Sequence, residues 1–169
     1  MTNVPARAAL RALHDEVDAA AGALAERHRE RLRCGRGCHA CCVDGLTVFE
    51  VEAERIRLHH AALLLSGVPH PPGACAFLGD AGECRIYADR PYVCRTQGLP
   101  LRWVEQAAPK IVERRDICPL NEAGEPIEAL PAEACWTLGP FEDRLRLLQQ
   151  AADGGAGRRV ALRALFQRG

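Results

Sequence analysis

The stretch Cys34-Gly35-Arg36-Gly37-Cys38-His39-Ala40-Cys41-Cys42 packs four thiols into nine positions and constrains the fold more than any other part of the chain. Cys38 and Cys41 are separated by two residues, the knuckle spacing that lets two thiolates grip one tetrahedral ion at about 2.3 Å. Gly35 and Gly37 permit the sharp turns that bring backbone N–H groups close to sulfur. Adjacent Cys41 and Cys42 are hard to aim at a single ion, so the doublet points to two metals, a bridging thiolate or a polynuclear iron–sulfur centre. His39, inside the knuckle, reads either as an alternative ligand or as an exposed loop histidine.

Five further cysteines, Cys75, Cys84, Cys94, Cys118 and Cys135, follow in turn-prone contexts from which each could fold back towards the first four. A total of nine leaves one unpaired in any disulfide scheme. Reduced, clustered thiols read instead as metal ligands, although an isolated position such as Cys135 also suits a small buried hydrophobe. The predicted ligand set is Cys34, Cys38, Cys41, Cys42, Cys75, Cys84, Cys94 and Cys118. A buried tetrathiolate zinc carries a formal charge of about −2, which cations must offset. Arg90 and Arg95 are therefore expected beside the bound metal, with Arg85 divided between that role and the surface.

Charge and hydropathy narrow the partners. Twenty-two basic and twenty-two acidic residues cancel, so no net field favours nucleic acid or an anionic membrane. No stretch approaches the roughly 18 to 20 apolar residues of a spanning helix, and early charges interrupt any signal-peptide core. The expectation is a cytoplasmic protein without nucleic-acid or membrane partners, and no protein partner is indicated. With aromatic residues at only 5% of 169, a thin core would lean on metal as a staple.

The order of elements predicts an α+β, mainly α, metal-stapled single domain. Its cysteine-rich core spans 34–120, with helical flanks at 5–33 and 139–168. Leu10, Leu13, Val17, Ala21, Leu24 and Leu32 form one stripe, predicting a helix over 5–33 that stops near Gly35. Thr47 and Glu50 have capping-box spacing, predicting a helix over 48–65 closed by Gly67. His60 reads as a hydrogen-bonded core residue on that helix and His59 as solvated, while Glu50, Glu52 and Glu54 favour its dipole. Residues 75–78 and 84–87 flank a five-residue loop and predict a short hairpin. Asp89 reads as the cap of a turn delivering Cys94, and residues 99–116 as a second hairpin. A helix is expected from Phe141 to Ala152, then a glycine break and a loosely docked terminal helix through Val160, Leu162, Leu165 and Phe166.

Cys38-x-x-Cys41-Cys42 with Cys34 before it, Glu52-Ala53, Cys75-x-Phe77-Leu78, Cys84-x-Ile86-Tyr87, Arg90-Pro91 and Cys94-Arg95 occur in this order. Over residues 34–119 this ladder resembles the CxxCxxCC family of zinc- or iron-chelating domain proteins. Three residues rather than two separate Cys34 from Cys38, a departure from the nominal spacing. The resemblance implies chelation without an assigned reaction; a relative fused to a lysine methylase acting on flagellin implies that the module can accompany enzyme chemistry.

Two functions compete. A non-enzymatic module would hold zinc in closed thiolate sites for folding, storage or transfer, and closed sites are the structural kind. Alternatively, an iron or iron–sulfur centre at the same cysteines would move electrons or activate a substrate, with Tyr87, Arg90, Arg95, His39 and Trp103 nearby. Thiol catalysis would need a spare activated cysteine, Cys135 or Cys42. Phosphate-binding glycine fingerprints, a Gly-x-Ser-x-Gly elbow and solenoid repeats are absent from the sequence, which favours the binding module.

Overall fold

The computed structural model describes residues 4–107 and 109–166. The apolar stripe near the start folds as α1 (Val4–Arg27), burying Leu10, Leu13, Val17 and Ala21 with His14 among them. Pro140 in the first turn starts α5 (Pro140–Asp153), and Glu142 reaches back to the Gly139 N–H. The two helices pack together around Leu145, joined by Val51, Tyr92, Leu99 and Trp136 in the first hydrophobic core.

α2 (Glu50–His59) divides the interior. It gives Val51 to that first core and Ala53 and Ile56 to a second, with Val48, Phe77, Ile86, Leu162 and Leu165. Cys75 and Cys84 pack partly buried against the second core. A two-stranded sheet borders it, in which β1 (Thr47–Phe49) pairs antiparallel with β5 (Arg159–Ala161), Thr47 opposite Ala161.

The second predicted hairpin is present as β2 (Leu101–Ala107) and β3 (Lys110–Asp116), antiparallel in register from Leu101–Asp116 to Ala107–Lys110. The short β4 (Trp136–Thr137) adds parallel to β2. The remaining helices are α3 (Ala61–Ser66) and α4 (Tyr92–Arg95). The class is thus α+β, mainly α, as expected. Among the described residues no helix is long and apolar enough to cross a membrane.

Several elements differ from expectation for identifiable reasons. α1 ends at Arg27 rather than running to residue 33, because the next side chains bond across the molecule. The His28 imidazole meets the Ala134 carbonyl at 2.7 Å, and Arg31 donates to the Ala123 and Glu125 carbonyls. Thr47 caps no helix; it lies in β1, and its hydroxyl accepts from Arg159. The helix expected over 48–65 breaks at His60 into α2 and α3. The hairpin expected at 75–87 reduces to one bridge, Leu78–Cys84. The chain end expected as a loose helix is β5 followed by a 3₁₀ turn (Leu162–Phe166), with Leu162 and Leu165 buried in the second core; the predicted flank's residues 167 and 168 lie outside the described residues.

Asp89 is a second correction at the residue level. It caps no helix, since Pro91 precedes α4. Instead its buried carboxylate accepts from Arg55 Nε at 2.8 Å, His59 Nδ1 at 2.9 Å and His60 Nε2 at 2.9 Å. His59 is therefore bound rather than simply solvated. Burial pulls the Asp89 carboxyl upward, but hydrogen bonds from both imidazoles and the Arg55 charge outweigh it and hold the group below its usual range.

Candidate metal centre

Short backbone bonds fix the cysteine loop. Cys38 N–H donates to Gly35 O at 3.0 Å and Cys42 N–H to His39 O at 2.9 Å, giving two successive turns with Gly37 at φ 88°. Cys75 N–H then donates to Cys42 O at 2.8 Å, which ties the second cysteine segment to the first. Beyond it, Leu78 N–H bonds back to Cys75 O and Leu78 bridges to Cys84, so a tight turn holds Cys75 and Cys84 together. Pro91 opens α4, whose single turn carries Cys94.

These pieces enclose a cavity of about 500 Å³. Its walls carry Cys34, Cys38, Cys41 and Cys42 from the loop, Cys75 and Cys84 from the turn, and Cys94 from α4. The eighth predicted ligand, Cys118, stands at the entrance of the turn Pro119–Asn121 and does not line the cavity. That turn nevertheless reaches it. Asn121, fully buried, donates its side-chain N–H to Cys34 Sγ at 3.3 Å and to Gly98 O at 2.9 Å, while its oxygen accepts Arg33 N–H at 2.7 Å.

All nine cysteines are free thiols. Burial pushes the Cys42 and Cys94 thiols up to about 12, reinforced by the neighbouring cysteine sulfurs. Cys84 is raised by burial despite an N–H donated by Ile86 and the nearby Arg90 charge. Cys41 is raised by burial, against its own N–H, and then by Cys38, Cys34 and Cys118. Thiols in this condition stay protonated near neutrality, and a soft cation that binds them must displace protons.

The donor chemistry fits zinc or iron: many soft sulfurs face one space, and amide N–H groups already point at two of them. Among the described residues no three His, Cys, Asp or Glu side chains are drawn together into a finished ligand sphere. The fit is one of donor type and convergence around a shared cavity.

The two predicted arginines differ in surroundings, though both border the cavity. Arg90 stacks over the Tyr87 ring at 4.2 Å, donates to Tyr87 O, and bears electrostatically on Cys84. Arg95 is buried, and its guanidinium is taken by Asp18 of α1 and the Ala88 carbonyl. Arg85 donates to Ala76 O and stacks on Phe166. His39 is exposed and bonded to Gly37 O at 2.9 Å. Cys135 stands apart, buried with Leu130 and Ala134 and raised by burial, which does not describe an activated nucleophile.

Sequence reasoning missed Asn121 and Gly98. Gly98 has φ +91°, and a Cβ there would collide with Cys34 Sγ, so only glycine lets the sulfur approach. Glu52, read as a dipole-favouring carboxylate, is buried; it accepts Tyr92 N–H at 2.7 Å and lies 3.3 Å from His14 Nε2, positioning α4 and hence Cys94.

A family model described as a putative zinc- or iron-chelating domain, CxxCxxCC, matches residues 33–119, more than half of the chain. No curated protein and no solved structure matches.

Proposed function

The chain belongs to the CxxCxxCC family, and from that premise we propose that it is a metal-binding protein whose clustered thiolates chelate zinc or iron. The ligands are drawn from Cys34, Cys38, Cys41, Cys42, Cys75, Cys84, Cys94 and Cys118. The observation carrying this reading is that seven of them, from three segments separated in sequence, line one cavity. A fold without a use for thiols would scatter them or bury them singly, as it does Cys135. Nine free thiols suit a reducing compartment such as the cytoplasm.

In the metal-bound protein Arg90 offsets negative charge beside Cys84, and the Ile86 and Asn121 N–H groups support the thiolates of Cys84 and Cys34. Arg95, committed to Asp18, acts through the seating of α4 on α1 rather than through direct contact. A metal held by these thiols would cross-link the loop, the 75–84 turn and α4. Holding the metal for structure, storage or transfer is the role assigned.

Elemental analysis of anaerobically purified protein tests this. Zinc or iron in stoichiometric amount, lost when the loop cysteines are changed to serine, is the expected result. Protein that neither retains nor takes up either metal would overturn it. Iron with visible absorption would move the role to electron transfer at the same thiols.

A further inference from the structure

We propose, resting on that chelating function, that Arg163 is a positioning residue for the metal centre: its guanidinium sets the spacing of the Cys42 and Cys75 segments from which their thiols face the shared cavity. Metal retention then depends on a residue of the turn Leu162–Phe166, outside the 33–119 match.

Asp44 stands two residues after Cys42, and Ala74 directly before Cys75. Arg163 joins the two. Its Nε lies 3.0 and 3.1 Å from the Asp44 carboxylate oxygens, and its Nη2 donates to one of them at 2.8 Å. The same Nη2 donates to Ala74 O at 2.7 Å and Pro71 O at 3.3 Å, and Nη1 donates to His70 O at 2.6 Å. One planar cation thus takes a carboxylate from the end of the cysteine loop and three carbonyls from the segment leading to Cys75. Asp44 adds to the link by accepting the Gly73 N–H at 3.1 Å, and the Cys75 N–H bond to Cys42 O belongs to the same junction.

An exposed ion pair contributes little, but this one differs in two respects. The Arg163 and Asp44 side chains are only 26% and 27% exposed, and charge-assisted bonds from a rigid fork fix direction as well as distance. The carbonyls of His70, Pro71 and Ala74 lie in a stretch without helix or strand, where the guanidinium supplies donors that no ladder provides. Arg163 is not needed to dock its own turn. Leu162 and Leu165 are buried in the second core, and the Phe166 ring packs 4.9 Å from that of Phe77. Apolar contacts seat the turn, and the guanidinium bonds act on the two cysteine segments.

The test is the zinc affinity of the full-length protein, measured by competition with a chromogenic chelator, together with the sulfur-to-metal charge-transfer band of cobalt(II)-substituted protein. Arg163→Ala should bind zinc roughly tenfold more weakly, the low end of the effect of residues that orient ligands without touching the metal, and its cobalt band should weaken. Arg163→Lys should show the same loss, because an ammonium cannot span a carboxylate and three carbonyls. Arg159→Ala is the control from neighbouring β5: Arg159 bonds Thr47 and stacks on Phe49, and its removal should leave zinc affinity and the cobalt band as in the wild type. If Arg163→Ala does not fold, Asp44→Asn carries the test, with the same weakening expected. Wild-type affinity in Arg163→Ala or Asp44→Asn, full recovery in Arg163→Lys, or equal weakening in Arg159→Ala would overturn the positioning role while leaving chelation standing. A wild type that takes up no zinc, cobalt or iron would overturn chelation itself and the positioning role with it.

Discussion

At the scale of single residues, the centre depends on atoms that are not sulfur. Gly98 is the clearest case, since its positive φ and the Cys34 sulfur against it leave no place for a side chain. Gly98→Ala is expected to cost on the order of 1–3 kcal/mol from backbone strain and to displace Cys34. Urea unfolding would read the first effect and metal content the second; unchanged metal content would mean that Cys34 needs no such approach. Asp153, which does not line the thiol cavity, supplies a different check. Its carboxylate accepts the Arg158 N–H at 2.8 Å, with Gln149 Nε2 and Gly157 N–H as further donors, and these bonds depress it from 3.8 to about 2. A carboxyl depressed by folding stabilises the fold above its unfolded value and loses that contribution as pH falls through the folded one. Stability of the wild type should therefore fall more steeply than that of Asp153→Asn between pH 3.8 and about 2, measured by denaturant titration. Parallel curves would remove Asp153 from the account.

At the scale of elements, the buried Glu52 joins three helices: it belongs to α2, accepts Tyr92 N–H at the start of α4, and lies against His14 of α1. Glu52→Ala orphans those groups and should cost roughly 1–3 kcal/mol, with Cys94 losing its fixed place; a ΔΔG near zero in urea would contradict this. Tyr92 belongs to the same assembly, its hydroxyl bonding Glu142 and receiving Trp136 Nε1–H, and burial pushes its phenol up. Local pattern made part of this legible. The stripe of α1, the helix expected from Phe141 with a glycine break after it, and the alternation in β2 and β3 are signals written within each segment, and the structure follows them. β1 and β5 are three residues each, and the Arg159–Thr47 contact between them spans 112 positions, so no periodicity announces them. The same distinction governs the centre. Cysteine spacing marked the thiols that share the cavity, whereas Asn121 and Gly98 matter only because the fold carries them to Cys34.

At the scale of the whole molecule, the two hydrophobic cores predict an uneven response to metal removal. The first, built from α1 and α5 around Leu13, Val17 and Leu145, contains no cysteine. The second has Cys75 and Cys84 packed against it. Stripping the metal should therefore raise amide hydrogen exchange in residues 34–45 and 73–95 while α1 and α5 remain protected, in line with metal-binding energy being local folding energy. Uniform exchange across the chain would mean that the metal holds both cores. The β1–β5 pairing has a consequence for timing. Leu162, the first residue after β5, lines the thiol cavity and donates its N–H to Leu46 O at 2.9 Å. During synthesis all nine cysteines precede that wall. On the ribosome, the nascent thiols stand open to the cell's metal before the last side of their container has been made.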